Sequence, residues 1–345
     1  MKTVALVESP VQLLNVVEWA HQPDVDASGL RVVVLAPRNE LTRLQLKAVA
    51  ALARTASLTV VWSEPRLGGA ETARTVRSLS TELSGVERLI IGDPFSGVLQ
   101  VVMSITRAAE VVIVDDGTAT MEFARQWLAG EHLTRWHTVA TERHRRQITS
   151  FARDQIAASV RRRLSSEAGC RLSIFTCMPI VLPRVAVTSN TFSWVRSRFA
   201  TPAIKPSADL IGTSLVETGV VERESYLRGV QSLAEVHSID RYFAHRKETP
   251  DKLAEIETLG LTVVRPELPL EIIVRTGVVG QTLISFPSTV IYTLPLVLSD
   301  TSTKLLVCSI ADDWFTQQAP ARSDRFLGDV TDGARHRFGL SAIAC

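Results

Sequence analysis

Short apolar runs alternate with amphipathic stretches through the first third of the chain. The run Thr3 to Val7 is followed by Val11 to Ala20, and Leu30 to Leu35 by Glu40 to Arg54. Leu58 to Trp62 precedes Glu71 to Leu83, Glu87 to Ile91 precedes Gly97 to Ala108, and Val111 to Val114 precedes Thr120 to Leu128. Runs rich in Val, Ile and Leu at every position belong to strands covered on both faces, and the helical stretches between them make the connections of a parallel sheet. From about Thr134 to Lys205 this alternation is lost, and the segment reads as helical excursions and an interdomain connection.

The beat returns with a strand near Leu210, a helix Glu222 to Val236, a strand Ser238 to Ala244 and a helix Pro250 to Leu259. Thr249 as N-cap, Pro250 at the first position, Asp251 in the first turn and Gly260 past the end give that helix good boundaries. Strands at Leu261 to Val264, Gln281 to Phe286 and Leu305 to Ile310 complete the pattern. The expected fold is α/β, with two Rossmann-like domains whose parallel sheets face a central cleft. The first spans residues 1–200, with an arginine-rich helical excursion, and the second spans 201–345.

Composition changes this picture little. A chain of 345 residues exceeds what one core usually holds and suits two domains of about 150 residues each. The net charge of +2, from 38 basic and 36 acidic residues, gives no reason to expect nucleic-acid binding. One stretch is locally basic, with Arg143, Arg145, Arg146, Arg153, Arg161, Arg162, Arg163 and Arg171. It reads either as a solvated helix face or as a peripheral contact with an anionic membrane surface. Cys170, Cys177, Cys308 and Cys345 have neither CxxC spacing nor disulfide-scaffold density, so reduced thiols in a cytoplasmic protein are expected. Glu8 and Gln12 interrupt the early apolar run, so it does not read as a signal peptide, and no segment is long and apolar enough for a transmembrane helix.

Candidate chemistry sits where the predicted strands end. Asp115-Asp116-Gly117 closes the run Val111 to Val114, at the strand edge where open α/β sheets place their sites. By itself the triplet is a metal ligand, a general base or a helix cap. His245 follows the strand Ser238 to Ala244, and Arg246 and Lys247 add positive charge beside it, a set able to meet a departing phosphate. Ser285-Phe286-Pro287-Ser288-Thr289 reads as strand, turn and helix start, which offers hydroxyls and free backbone N–H groups to an anion, or a plain serine cap. Ser9, Gln12, Asn15 and Glu18 recur along one side of the first helix and its preceding loop, as the lining of a site or as an ordinary polar face. Trp127 and Trp194 are core residues or sugar-stacking platforms. No GxGxxG turn, GxxxxGK[ST] loop, HExxH helix or GxSxG elbow is present, which removes the common dinucleotide, P-loop, zincin and hydrolase readings.

In order along the chain, Asp115-Asp116-Gly117, His245-Arg246 and Ser288-Thr289 resemble the acidic-acidic-Gly, His-Pro and Ser-Ser/Thr motifs of bacterial sialyltransferase and polysialyltransferase-like GT-B enzymes, the group that includes glycosyltransferase families 52 and 38. Ser9 to Asn15 and Ile211 to Glu217 are secondary resemblances, and Arg246 stands where the family has proline. The resemblance implies a metal-independent inverting glycosyltransferase with no cofactor, acting in polysaccharide biosynthesis. It would move a sialic-acid-like nonulosonic sugar from a CMP-activated donor to a glycan or glycolipid hydroxyl. It implies Asp116 as base, with Asp115 orienting it or raising its pKa, and Glu217 or Glu222 as alternative base. It implies His245 as stabiliser of the leaving phosphate, and a donor site of Ser285, Ser288, Thr289, Gly212, Thr213, Arg246 and Lys247 in the second domain, with Ser9, Gln12 and Asn15 on the acceptor side of the first. A GT-B transferase using a UDP- or GDP-linked sugar, and a catalytically silent nucleotide- or sugar-binding relative, are the alternatives.

Overall fold

The computed structural model describes residues 1–65, 77–79, 81–131, 133, 146–165, 169–320 and 322–344, and only the backbone of 146–154. Arg143, Arg145, Cys345 and most of the expected helix Glu71 to Leu83 lie outside the described residues. The chain divides into two compact units, Met1–Asn190 and Thr191–Cys345.

The first unit is built on seven parallel strands: β1 (Thr3–Val7), β2 (Leu30–Leu35), β3 (Thr59–Ser63), β4 (Arg88–Ile91), β5 (Glu110–Val114), β6 (Arg171–Thr176) and β7 (Ala186–Ser189). Their order is β3-β2-β1-β4-β5-β6-β7, so the direction of winding reverses between β1 and β4. All five residues of β1 and of β5 are buried, as expected for strands covered on both faces. The helices are α1 (Pro10–Ala20), α2 (Glu40–Thr55), α3 (Gly97–Ile105), α4 (Thr118–Ala129) and α5 (Arg146–Arg163). Their ends follow local chemistry. Ser9 accepts from the Gln12 N–H at the start of α1, Asn39 accepts from the Thr42 N–H at the start of α2, and Gly130 ends α4 in the left-handed region.

The segment in which the sequence shows no alternation contains β6 and β7. No helix separates them, so no β/α beat marks them, and the four residues of the edge strand β7 are exposed, which hides its apolar pattern. The expected helical excursion is present as α5.

The second unit repeats the topology. Its strands are β8 (Ala203–Ile211), β9 (Ile239–Phe243), β10 (Thr262–Val264), β11 (Val278–Ser285), β12 (Lys304–Ser309) and β13 (Ser341–Ala344), all parallel, in the order β10-β9-β8-β11-β12-β13. Here winding reverses between β8 and β11. The helices are α6 (Ser193–Arg198), α7 (Arg223–His237), α8 (Pro250–Thr258), α9 (Leu270–Thr276), α10 (Val290–Val297) and α11 (Ser323–Phe338). Helices α9 and α11 and strand β13 have no counterpart in the expectations from sequence. The two units are thus parallel-sheet α/β folds, the class expected from the hydrophobic pattern. Ligands of such sheets sit outside the carboxyl ends of the strands at the point of reversal.

One expectation is corrected. Cys308 is disulfide-bonded, while Cys170 and Cys177 are free and buried. Of the described arginines, several make structural contacts. Arg161 donates to Trp127 O and Glu131 O and stacks on the Trp127 ring, Arg163 donates to Thr106 O and Ala108 O, and Arg171 pairs with Glu110. Arg161 and Arg163 thereby satisfy carbonyls at the ends of α4 and α3, a favourable place for positive charge. Trp127 is held between Arg161 and Phe123, and Trp194 is buried against Phe199, so both are packing residues. Among the described residues no helix is long and apolar enough to cross a membrane.

Candidate active site

At the reversal point of the first sheet, Ser9 lies just past the end of β1 and Gly92 just past the end of β4, and β5 delivers Asp115-Asp116-Gly117 alongside. The consecutive carboxylates part company. Asp115 is buried and accepts from Thr176 Oγ1 at 2.5 Å and from the Cys177 N–H at 2.6 Å. Burial pushes its carboxyl above the usual range, and these hydrogen bonds pull the other way. Its oxygens are thus occupied by the start of the β6–β7 connection. Asp115 ties β5 to β6.

Asp116 is half-buried at the edge. Ser9 Oγ donates to its Oδ1 at 3.5 Å, and its own N–H donates to Thr120 Oγ1 at 3.3 Å in the first turn of α4. Gly117, at φ 70 and ψ −139, occupies backbone space that a Cβ forbids. This residue turns the chain so that Asp115 points inward and Asp116 stays at the edge. Of the expected acceptor-side lining, only Ser9 touches Asp116. Gln12 is buried, accepts from the Glu8 N–H at 2.7 Å and fills the space that a Cβ on Gly92 would need. Asn15 is buried, donates to Asp115 O at 3.0 Å and accepts from Asn190 Nδ2 at 2.9 Å. Both are struts. Thr176, Asn190 and Gly92 carry no signal that sequence reasoning could have used, because their partners are 61 to 175 residues away or lie across the sheet.

In the second unit the reversal point lies between the ends of β8, at Gly212-Thr213, and of β11, at Phe286-Pro287. The loop Ser285–Thr289 runs from β11 into α10, the expected strand-turn-helix. Ser285 is buried and donates to Phe286 O at 2.9 Å, and the Ser285 and Ser288 hydroxyls lie 3.5 Å apart. No side chain caps α10, so the serine-cap alternative does not describe this loop. Its first turn presents backbone N–H groups beside the Ser288 and Thr289 hydroxyls, a local chemistry suited to phosphate. A cavity of about 150 Å³ adjoins Pro287 and is lined by Asp312, Phe315, Leu327 and Arg335 among others.

His245 follows β9 and is half-buried. The Lys247 N–H donates to its Nδ1 at 3.3 Å; a backbone N–H can only donate, so the ring proton belongs on Nε2. Burial, then the charges of Arg246, Lys247 and Lys252, lower its pKa to about 3. At neutral pH it is an uncharged hydrogen-bond donor. Arg246 is half-buried and Lys247 exposed.

Behind this turn lies a buried ionic cluster that the sequence did not announce. Lys252 Nζ, fully buried, sits 3.0 Å from Glu248 Oε2, 3.1 Å from Glu217 Oε2 and 3.0 Å from Thr213 O, with the Tyr226 ring 4.5 Å away. Tyr242 donates to Glu248 Oε2 at 2.8 Å, and the Tyr226 and Tyr242 hydroxyls are 2.6 Å apart. Burial pushes the Glu248 carboxyl up, against the opposing charge of Lys252. The i, i+4 spacing of Glu248 and Lys252 was the one available signal. Glu217 is engaged by Lys252 and by the Thr249 N–H at 3.2 Å; the Thr249 hydroxyl makes no cap bond. Glu222 is the exposed N-cap of α7 and donates its N–H to Trp314 O at 2.7 Å. Gly212 is glycine because Tyr242 Oη and Glu248 Oε1 would each lie 2.3 Å from a Cβ there, so its space is taken by protein. Thr213 lends its carbonyl to Lys252. Among the described residues no three His, Cys, Asp or Glu side chains group as for a metal ion.

No protein-family model matches the chain, and no curated protein matches its sequence. The chain is similar, at low identity, to several solved structures. The GT-B domain of a sialyltransferase from Photobacterium damselae is 10% identical, covering 100% of both chains, with a TM-score of 0.49. The E. coli heptosyltransferase WaaC with ADP is 12% identical over 97% of this chain and 100% of its own, with a TM-score of 0.40. Acinetobacter baumannii MurG is 10% identical over 100% of this chain and 86% of its own, with a TM-score of 0.41. At such values the likeness decides neither donor nor acceptor.

Proposed function

We propose that the protein is an inverting GT-B glycosyltransferase that moves a nonulosonic, sialic-acid-like sugar from a CMP-activated donor to a glycan or glycolipid hydroxyl. The observation that carries this reading is the anion-accepting set on the carboxyl edge of the second sheet. The uncapped start of α10 with Ser288 and Thr289 meets a phosphate, and His245, at the end of β9, offers it an Nε2–H. The ordered resemblance of the three motifs to sialyltransferase-like enzymes supplies the sugar.

In this reading Asp116, positioned by Ser9, accepts the proton of the acceptor hydroxyl. The acceptor oxygen forms a bond to the anomeric carbon as the bond from that carbon to the phosphate oxygen breaks. The electron pair leaves with CMP, and the His245 Nε2–H, the α10 N–H groups and the charges of Arg246 and Lys247 stabilise it. CMP departs as a phosphate monoester, so the step as written uses no metal ion. With a pKa of about 3, His245 contributes a hydrogen bond, not an acidic proton.

Thermal unfolding with CMP, UDP and GDP tests the donor. A nucleotide present at a hundred times its Kd stabilises by about 2.7 kcal/mol. CMP is expected to raise the midpoint and the others not. Stabilisation by UDP or GDP alone overturns the CMP assignment. Nucleotide binding without donor turnover makes the protein a silent relative.

A further inference from the structure

The turn His245-Arg246-Lys247-Glu248 is closed from both ends by one residue. The Glu248 N–H donates to His245 O at 2.9 Å, and Glu248 Oε1 accepts the His245 N–H at 2.6 Å. The other oxygen of the same carboxylate is gripped by Lys252 Nζ and by the Tyr242 hydroxyl. The His245 backbone is therefore anchored to a fully buried ion pair. Arg246 occupies the second position of the turn, the place proline favours, and here the rigidity comes from this carboxylate instead.

We propose that Glu248 is a positioning residue for His245: its buried carboxylate holds the histidine's own N–H, fixes the turn, and thereby keeps Nδ1 on the Lys247 N–H and the ring proton on Nε2. The inference rests on the reading above only in giving that Nε2–H a phosphate to meet. The charged groups facing the ring and its turn are Arg246, Lys247 and Glu248 from the turn itself, Lys252 from α8, Glu271 from α9 through Arg246, and Glu217 through Lys252. The carboxylate is the one acceptor among them that touches the histidine backbone.

Glu248→Gln discriminates. Lys252 and the Tyr242 hydroxyl both donate to the Oε2 position, so the amide must place its oxygen there. Its NH₂ then faces the His245 N–H, donor against donor. Nitrogen-15 NMR of the histidine rings and amide hydrogen exchange, on the full chain without any nucleotide, read the consequence. In the wild type His245 should show a protonated Nε2 and a bare Nδ1 through neutral pH, with a protected amide. In Glu248→Gln the amide should exchange about ten- to a hundredfold faster, the loss expected for a hydrogen bond to a charged acceptor, and the tautomer preference should relax toward a mixture. Glu248→Asp keeps the charge and should hold the tautomer better than Glu248→Gln.

A folded Glu248→Gln with unchanged His245 exchange and tautomer overturns the proposal. So does a wild type whose Nδ1 carries the proton, a result that needs no variant to fold. None of these readouts involves a donor sugar, so failure of the CMP assignment leaves them intact, and their failure leaves the CMP test intact.

Discussion

Asp115 and Asp116 show how two identical side chains one residue apart acquire different work. Asp115 is sealed against Thr176 and Cys177, and its value lies in acceptors that no neutral amide can supply on both oxygens. Asp115→Asn places an NH₂ against one of two donors, and a loss of about 1–3 kcal/mol in unfolding free energy is expected by denaturant titration. Asp116→Ala removes a half-buried edge residue that carries a long hydrogen bond. Its midpoint of unfolding should stay near the wild type, while transfer from a CMP-sugar falls by a hundredfold or more, roughly the share of a general base. An Asp116→Ala enzyme that keeps full transfer sinks the base assignment.

Elements matter here through their ends. The turn between β5 and α4 depends on Gly117, whose backbone no other residue adopts at low cost; Gly117→Ala should cost about 1–3 kcal/mol and move Asp116 off the edge, so stability and transfer should fall together. Arg161 and Arg163 of α5 serve helix ends in the same sense. Arg161 meets the last carbonyls of α4, and Arg161→Ala is expected to destabilise by about 1 kcal/mol in a melting experiment. Loss of vesicle binding with an unchanged melt would restore the surface reading of that residue. Element ends are also where sequence reading erred. The β5 and β9 ends were legible because an apolar run stops at a charged residue, whereas β7, α9 and α11 lack such contrast.

For the whole molecule, folding and proton binding are linked. His245 has a folded pKa of about 3 against an ordinary 6.5. Between those values the unfolded chain binds a proton that the folded chain refuses, so stability falls as pH drops from 6.5 toward 3. The buried carboxyls of Asp115, Glu248 and Glu271 are all raised, with burial the first cause. They work in the opposite direction, their folded-state preference for the proton being lost as pH rises through their folded pKa. His245→Asn removes only the first contribution. Its melting temperature should therefore depend less on pH just below 6.5 than that of the wild type, as followed by circular dichroism; parallel curves would contradict the neutral state of the ring.

The hydrophobic pattern by itself determined most strands and helices, the parallel α/β class and the three loops where charge or hydroxyls follow a buried strand. These are local facts: a strand buried on both faces must be apolar throughout, and its end is marked by the first polar residue. Only tertiary structure decided which polar residues are held by partners and which stay at a strand edge. Asn15, Asp115 and Glu217 looked like site residues because they are polar and well placed, yet each is engaged by a partner distant in sequence, while Gln12 holds the nearby Glu8 N–H and packs on Gly92. Gly212 looked like room for a nucleotide, and Tyr242 with Glu248 fills that room. Hydrogen-bond partners are set by which strands lie side by side, and strand order is a property of the folded sheet that no local pattern carries.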